Sequence, residues 1–197
     1  MKTPLALLLT SAARARLLQL FALFNDDLLR FREIQRRIRV GSRSLQHELK
    51  RLETLGLIAR QGRGRDVRYR ARTETPLWLS VWQTVANLSL PAEICQIVLA
   101  DLDGVNAAFI YGSTARDDAR PTSDVDLFVI GRGIDEIELA RRTSEAGALL
   151  GREITVAIYT SQELRTMVQA GHPYVGRVLQ GPKIWIRGED DENPLAT

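Results

Sequence analysis

Two aspartates in an otherwise apolar strand are the residues of this sequence best suited to chemistry. Asp124 and Asp126 open the run DVDLFVI, and side chains two residues apart on a strand point to the same face. The rise per residue places the two carboxylates about 6 to 7 Å apart along that face. Like charges this close repel each other, and a divalent cation relieves the repulsion; Mg²⁺ commonly takes one or two carboxylates together with substrate phosphates. The pair therefore predicts a site for Mg²⁺ or Mn²⁺.

A glycine and a serine precede the aspartates at a spacing suited to phosphate binding. The apolar run 107–111 predicts a buried strand that ends at Gly112 and Ser113, and ten residues separate Ser113 from Asp124. Glycine lets a phosphate approach the backbone, and the serine hydroxyl, with the amides at the start of a following helix, can donate hydrogen bonds to it. Arg116 lies on that helix and adds a positive charge. The sequence therefore predicts Gly112, Ser113 and Arg116 as phosphate-binding residues.

Together these residues resemble the motif of the nucleotidyltransferase superfamily that includes DNA polymerase beta, in its minimal form. The resemblance rests on Gly112-Ser113-Thr114-Ala115-Arg116 and on Ser123-Asp124-Val125-Asp126-Leu127. It implies that the Gly-Ser pair holds the phosphates of a nucleoside triphosphate and that the two aspartates hold Mg²⁺. It also implies a C-terminal nucleotidyltransferase fold, which is a mixed sheet with flanking helices.

The sequence departs from that superfamily at the third carboxylate, which active members usually carry on a later strand. Here that strand is predicted over 153–159, where Thr155 occupies the third position and Glu153 lies on the same face one step back. Two-metal phosphoryl transfer uses both cations, so losing one ligand should spare nucleotide binding more than turnover. We therefore expect a Mg-nucleotide site with weak or no turnover. The alternative is that Glu153 reaches the second metal and completes a catalytic set with Asp124 and Asp126.

Charge divides the chain into a basic and an acidic part. Residues 1–75 carry 17 Lys and Arg against 7 Asp and Glu, a net of +10, whereas residues 76–197 carry 10 against 17, a net of −7. A basic domain favours a polyanion, because each phosphate that it neutralises releases counterions. The alternative is a solvated basic surface without a partner. The arrangement of the charges decides between the two.

The apolar spacing of the basic part predicts a helix-turn-helix. Apolar residues recur every three and four positions in three stretches, and Gly41 makes a short turn between the second and the third. Leu45, Leu49 and Leu52 form the predicted seam of the third helix, which leaves its polar residues outside. A polar helix after such a turn has the arrangement that reads the major groove of double-stranded DNA. The predicted helices cover 12–24, 28–38 and a third stretch that starts at Ser42 or Ser44.

A predicted hairpin follows the third helix and carries further arginines. Gly62-Arg63-Gly64 is a turn sequence, and beyond it Val67, Tyr69 and Ala71 alternate with arginines. Period two puts every arginine on the face away from the core, so the hairpin reads as the wing of a winged helix. The alternative is a three-helix bundle with a solvated third helix. The predicted DNA-binding residues are Arg43, Ser44, Gln46, His47, Lys50, Arg51, Arg63, Arg65 and Arg68.

The whole chain looks like a family of prokaryotic proteins in which a winged helix precedes a minimal nucleotidyltransferase domain. The predicted fold class is therefore α+β in two domains, with linker helices that carry Trp78 and Trp82. These tryptophans favour packing between domains or subunits over a ligand platform. The predicted boundaries are 1–75 for the winged helix-turn-helix domain, 76–104 for the linker helices, 105–188 for the nucleotidyltransferase-like domain and 189–197 for an acidic mobile tail.

Composition excludes several classes of protein. A single cysteine excludes an internal disulfide framework and fits a reducing compartment. With only two histidines besides, the chain has few ligands for a zinc site, and no charge-free stretch is typical of a membrane span. We expect a cytoplasmic protein. We also expect a homodimer, because a single helix-turn-helix usually gains DNA specificity by dimerisation.

Three functions fit the sequence. The first, which we favour, is a DNA-binding transcription regulator whose second domain senses a nucleotide. The second is an active nucleotidyltransferase that moves a nucleoside monophosphate onto a protein or small-molecule hydroxyl. The third is a structural domain whose carboxylates bind nothing.

Overall fold

The computed structural model describes residues 3–116, 118, 120 and 123–188, except for the side chain of Arg65. The chain divides between Asp101 and Leu102 into two compact units, called here the first and the second unit. The tail predicted over 189–197 lies outside the described residues. No helix in the described part of the chain is long and apolar enough to cross a membrane.

The first unit combines helices with a small antiparallel sheet. Its described elements are α1 (Pro4–Leu9), α2 (Ala12–Leu23), β1 (Leu29–Arg30), α3 (Phe31–Ile38), α4 (Ser42–Thr54), β2 (Ile58–Gln61), β3 (Arg68–Ala71), α5 (Pro76–Leu88) and α6 (Pro91–Leu99). The strands hydrogen-bond in the order β1-β3-β2, and a short 3-10 turn over Gly64–Asp66 connects β2 to β3.

The core of the first unit follows the apolar spacing of its helices. Leu45, Leu49 and Leu52 of α4 are buried, as the sequence predicts. Glu48 on the same helix is buried too, because its carboxylate accepts hydrogen bonds from the Arg14 guanidinium at 2.9 and 3.2 Å. This ion pair ties α4 to the start of α2 and was not predicted.

The helix predicted over 28–38 is shorter than expected. α3 begins at Phe31, while Leu29 and Arg30 form a strand that pairs with β3. Glu33 accepts a hydrogen bond from the backbone N–H of Arg30 at 2.7 Å, which caps the helix at this point. An apolar spacing of three and four cannot reveal a two-residue strand ahead of the helix, because the strand is defined by a partner far along the chain.

The helices assigned from sequence to a linker belong to the first unit. α5 and α6 both precede the division after Asp101, and buried Gln19 of α2 donates hydrogen bonds to the Ser89 hydroxyl at 3.0 Å and to Glu93 at 3.2 Å. Trp78 is buried within this unit. Cys95 is buried as well, and burial raises the pKa of its thiol to about 12, so it stays a protonated, unreactive thiol at neutral pH.

The second unit is built on a mixed sheet with flanking helices, as the sequence predicts. Its described elements are β4 (Val105–Tyr111), α7 (Gly112–Ala115), β5 (Val125–Gly131), α8 (Glu136–Leu150), β6 (Ile154–Tyr159), α9 (Ser161–Gln169), α10 (Pro173–Gln180) and β7 (Ile184–Arg187). The strand order is β6-β5-β4-β7; β5 and β6 run parallel, and the other neighbours run antiparallel.

The two faces of this sheet have different neighbours. One face carries Phe109 and Phe128, which pack with Leu164 of α9 and Val175 of α10. The opposite face of β6 lines a cavity of about 680 Å³ together with α8. Since side chains alternate between faces, Asp126 lies on the same face as Phe128, beyond the part of that face where the aromatic core is packed.

Candidate functional site

Asp126 is fixed by a neighbouring strand on each side. Antiparallel pairing places it opposite Tyr111, the last residue of β4, and parallel pairing places it beside Thr155 of β6. Asp124 precedes β5 by one residue, and its negative charge acts on the Asp126 carboxyl. The structure therefore brings the two predicted metal ligands close enough to interact electrostatically.

Gly112 lies directly against the carboxylate of Asp126. Its φ is +71°, which only glycine adopts without strain, and a Cβ built at this position would collide with Asp126 Oδ2. The half-buried Ser113 follows in the first turn of α7. The predicted phosphate-binding turn and the predicted metal ligand are thus in direct contact, and the contact leaves no room for a side chain at position 112.

The electrostatics of the pair suit a divalent cation. Burial, followed by the negative charge of Asp124, raises the pKa of Asp126, while the charge of Arg116 lowers it. A cation between the two carboxylates would remove this repulsion. Oxygen donors of this kind, completed by phosphate oxygens, are the set that Mg²⁺ and Mn²⁺ accept.

The third carboxylate predicted as an alternative is not assembled with the pair. Among the described residues there is no group of three or more His, Cys, Asp or Glu side chains placed to hold a metal ion. Glu153 is exposed, and its backbone carbonyl accepts a hydrogen bond from Val125 N–H at 2.8 Å. Thr155, the neighbour of Asp126 on β6, supplies a hydroxyl where the resemblance places an acid. The catalytic role of Glu153 stays a prediction.

Arg116 is close enough to the acids to act on them electrostatically. It ends α7, is exposed, and pairs with Asp118 at 3.1 Å. Its effect on the pKa of Asp126 shows that its charge reaches the site. A nucleotide phosphate would compete with Asp118 for this guanidinium, and that role stays a prediction.

Two features of the site could not be found from the sequence. The hydroxyls of Tyr111 and Tyr174 are 2.7 Å apart, and burial, followed by this hydrogen bond, raises the pKa of Tyr111. Arg152 contacts Ser123, Asp124 and Thr114. Each contact joins residues at least 28 positions apart in the sequence, so the spacing of neighbouring residues cannot predict it.

The predicted DNA-binding residues are mostly exposed. On the hairpin, Arg63 is exposed, and the side chain of Arg68 is 38% exposed and pairs with Asp66 at 3.2 Å. The side chain of Arg65 lies outside the described part of the structure. Exposed on α4 are Arg43, Ser44, Gln46, His47, Lys50 and Arg51.

Comparisons with known proteins show a similarity over the segment that contains the candidate site. Residues 93–172 match the family model described as polymerase beta, nucleotidyltransferase. A protein of Methanocaldococcus jannaschii named "putative protein adenylyltransferase" is 41% identical over 59 residues, which is 29% of this chain and 63% of that protein, less than two thirds of its length. A solved "putative nucleotidyltransferase" from Sulfolobus solfataricus is similar at 20% identity and a TM-score of 0.30, over 53% of this chain and 85% of that one. The matched residues include Gly112, Asp124 and Asp126, so the segment that carries the candidate site is similar to the polymerase beta nucleotidyltransferase family.

Proposed function

We propose that the second unit binds a nucleoside triphosphate together with Mg²⁺ or Mn²⁺. Asp124 and Asp126 would hold the cation, and Gly112 and Ser113 would lie against the phosphates. The observation that carries this proposal is the contact between the Gly112 backbone and the Asp126 carboxylate, which makes the phosphate-binding turn and the acid pair parts of one site.

The residues of this site have distinct tasks in the proposed complex. The bound cation neutralises phosphate charge and polarises a phosphoryl oxygen. The Ser113 hydroxyl donates a hydrogen bond to a phosphate oxygen, and Arg116 adds a positive charge once it exchanges Asp118 for the nucleotide. Ionised Asp126 is the form that binds the cation, so its raised pKa falls again in the complex.

Transfer is proposed to be slow, because Thr155 stands beside Asp126 where a carboxylate would complete the set for a second cation. The alternative is productive transfer. The name of the Methanocaldococcus jannaschii relative favours an adenylyl group as the transferred unit and a protein hydroxyl as its acceptor. Adenosine triphosphate is therefore the first nucleotide to test.

The test uses triphosphates labelled at the α-phosphate, with Mg²⁺ or Mn²⁺ and the full chain. We expect saturable nucleotide binding that Asp126→Asn removes, slow or no transfer of label to protein, and faster transfer by Thr155→Asp. Rapid transfer by the unaltered chain that is lost in Asp126→Asn would establish the alternative. Absence of nucleotide binding at any cation concentration would contradict the proposal and leave a structural role for the carboxylates.

A second function is proposed for the first unit, in which α3, the Gly41 turn and α4 would form a helix-turn-helix, with the β2–β3 hairpin as its wing. The observation that favours DNA binding is the exposure of six polar or basic residues on α4, none of them in the buried seam. In this proposal α4 lies in the major groove and Arg63 reaches the phosphate backbone. The full chain would then be a nucleotide-responsive DNA-binding regulator.

Fluorescence anisotropy with a mixed-sequence duplex tests this second proposal. Affinity should fall about 10³-fold or more between 50 and 200 mM salt if at least six phosphates are contacted. Sedimentation of the same samples reports whether the chain binds as the expected homodimer. A flat salt dependence would show that the basic surface is merely solvated.

A further inference from the structure

Arg152 holds together two parts of the nucleotide site that are far apart in sequence. Its Nε donates to the carbonyl of Ser123 at 2.5 Å, and its Nη2 donates to the Thr114 hydroxyl at 2.9 Å and to the carbonyl of Asp124 at 3.4 Å. Thr114 follows the Gly112-Ser113 turn, and Asp124 is one of the two acids. One guanidinium therefore contacts the phosphate-binding turn and the segment that carries a predicted metal ligand.

The backbone of Arg152 is itself anchored, so its side chain reaches out from a fixed point. Its N–H donates to the carbonyl of Gly147 in the last turn of α8 at 3.1 Å. A Cβ at Gly147 would lie 2.9 Å from the Arg152 carbonyl oxygen. The close approach of α8 to Arg152 therefore depends on a glycine at position 147. Gly151, with a φ of +63°, turns the chain from the end of α8 into Arg152 and β6.

The two acids differ in how the fold supports them. Asp126 has a paired strand on each side, whereas Asp124 lies ahead of β5 and outside the described strand pairing. The next residue, Val125, is tied to Glu153 through a backbone hydrogen bond. Arg152 donates hydrogen bonds to the carbonyls of Ser123 and Asp124, the two residues that precede β5.

We propose that Arg152 is a positioning residue of the nucleotide site, which holds the Gly112–Thr114 turn and Asp124 at the spacing that a Mg-nucleotide requires. This inference rests on the proposed nucleotide-binding function. Arg152 acts through neutral oxygens of other residues, and its guanidinium geometry matters because two nitrogens must bond in different directions at once. Lysine keeps the charge but cannot make the same set of contacts.

The experiment compares Mn²⁺ and Mn-nucleotide affinities of the full chain with those of Arg152→Met, Arg152→Lys and Thr114→Val. Loss of a group that orients a metal ligand typically weakens binding about 10- to 100-fold, and we expect Arg152→Met to fall in that range. Arg152→Lys should recover part of the loss, and Thr114→Val should show an intermediate loss. Arg132→Met, an exposed arginine beyond the far end of β5, serves as the matched control and should bind normally.

Circular dichroism and the thermal midpoint separate positioning from folding. A purely structural role would lower the midpoint of Arg152→Met and leave the affinities of the folded protein within twofold of the unaltered chain, which would overturn the inference. If Arg152→Met does not fold, Thr114→Val decides: normal Mn-nucleotide affinity in that folded variant would overturn the inference as well. Failure of the unaltered chain to bind Mn²⁺ and nucleotide would instead overturn the proposed function on which the inference rests.

Discussion

The two units carry charge in opposite ways. Residues 1–101 hold 17 Lys and Arg against 9 Asp and Glu, and the polar side chains of α4 that we assign to DNA stand separately on an exposed helix surface. In the second unit, Asp126 lies on β5 and Asp124 precedes this strand, and the pKa of Asp126 is raised by burial and by the charge of Asp124. The first unit spreads these polar side chains in solvent, whereas the second places an exposed acid, Asp124, close to a half-buried one, Asp126.

This difference separates two kinds of recognition. Exposed, separated charges cost the fold little and attract a polyanion through their number, so each contributes modestly. A half-buried carboxylate close to a second negative charge destabilises the metal-free fold, and a bound cation offsets this cost. Substitutions should therefore act sharply in the second unit and gradually on the surface of the first.

The largest effect is expected for Gly112→Ala. The new Cβ collides with the Asp126 carboxylate, and the alanine itself must adopt a positive φ. The turn and the carboxylate therefore have to move apart. Because misplacement by about 1 Å can reduce binding and catalysis about a hundredfold, we expect nucleotide affinity to fall by about that factor, with a stability loss of about 1–3 kcal/mol. Calorimetry and denaturant unfolding measure the two effects.

Gly133→Ala is the matched control for that variant. Gly133 has a nearly identical φ of +69°, but a Cβ there meets nothing within 4 Å. It should cost about 1 kcal/mol in stability, through the left-handed conformation alone, and leave nucleotide affinity unchanged. Equal losses of affinity in the two variants would show that strain, and not the contact with Asp126, is responsible.

The first unit contains a partly buried ion pair between Arg14 and Glu48, whose two charges have opposite sign. Burial raises the pKa of Glu48, but the hydrogen bonds and the positive charge of Arg14 outweigh this effect, so that the pKa is lowered overall. Glu48→Gln leaves Arg14 without its carboxylate, and we expect a loss of about 1–3 kcal/mol in the free energy of unfolding at pH 7. Denaturant titrations of both proteins measure it.

The sign of the pH dependence follows from the lowered pKa. The stabilisation by Glu48 is complete above its ordinary value of 4.5 and is lost as the pH falls through the lower value of the folded protein. The difference between the unaltered chain and Glu48→Gln should therefore shrink below pH 4.5. A difference that grows with acidity is incompatible with this ion pair.

Single charges on the surface of the first unit should have smaller effects. Lys50→Ala should weaken duplex binding a few-fold and reduce the slope of log affinity against log salt by about 0.9 if Lys50 neutralises one phosphate. Arg68→Ala should do less, because Asp66 already pairs with Arg68. Anisotropy titrations at several salt concentrations measure both, and a larger effect at Arg68 than at Lys50 would move the proposed interface from α4 to the hairpin.

The smallest effect is expected on the outer surface of α8. Hydrogen bonds from Arg141, then from Arg142, hold the pKa of Glu138 at about 2. Its stabilisation is present above about pH 4.5 and is lost between that value and pH 2. Because the side chain of Glu138 is 28% exposed, solvent screens part of its interaction with the two arginines, and Glu138→Gln should cost about 1 kcal/mol at neutral pH. Acid titrations of unfolding should show the two proteins converging near pH 2.

The sequence predicted what local periodicity determines. The buried seam of α4 follows from an apolar spacing of three to four residues, whereas the mixed sheet with flanking helices was implied by the family resemblance.

Features that depend on distant partners were not predictable. The strand β1 exists because it pairs with β3, and α5 and α6 join the first unit through contacts such as Gln19 with Ser89. The contacts of Arg152 cross 28 to 38 positions of chain. A single sequence carries no signal for such pairs, because side-chain type alone does not specify which distant oxygen an arginine reaches.

The number of Mn²⁺ ions bound per chain, measured by electron paramagnetic resonance with and without nucleotide, tests whether the second unit holds the proposed one-metal nucleotide site. With Asp124 and Asp126 as the acid pair and Thr155 beside them, we predict one tightly bound Mn²⁺ per chain in the presence of nucleotide, and its loss in Asp126→Asn. Two tightly bound ions would contradict the account of Thr155. No bound ion, or one that Asp126→Asn leaves in place, would contradict the site itself.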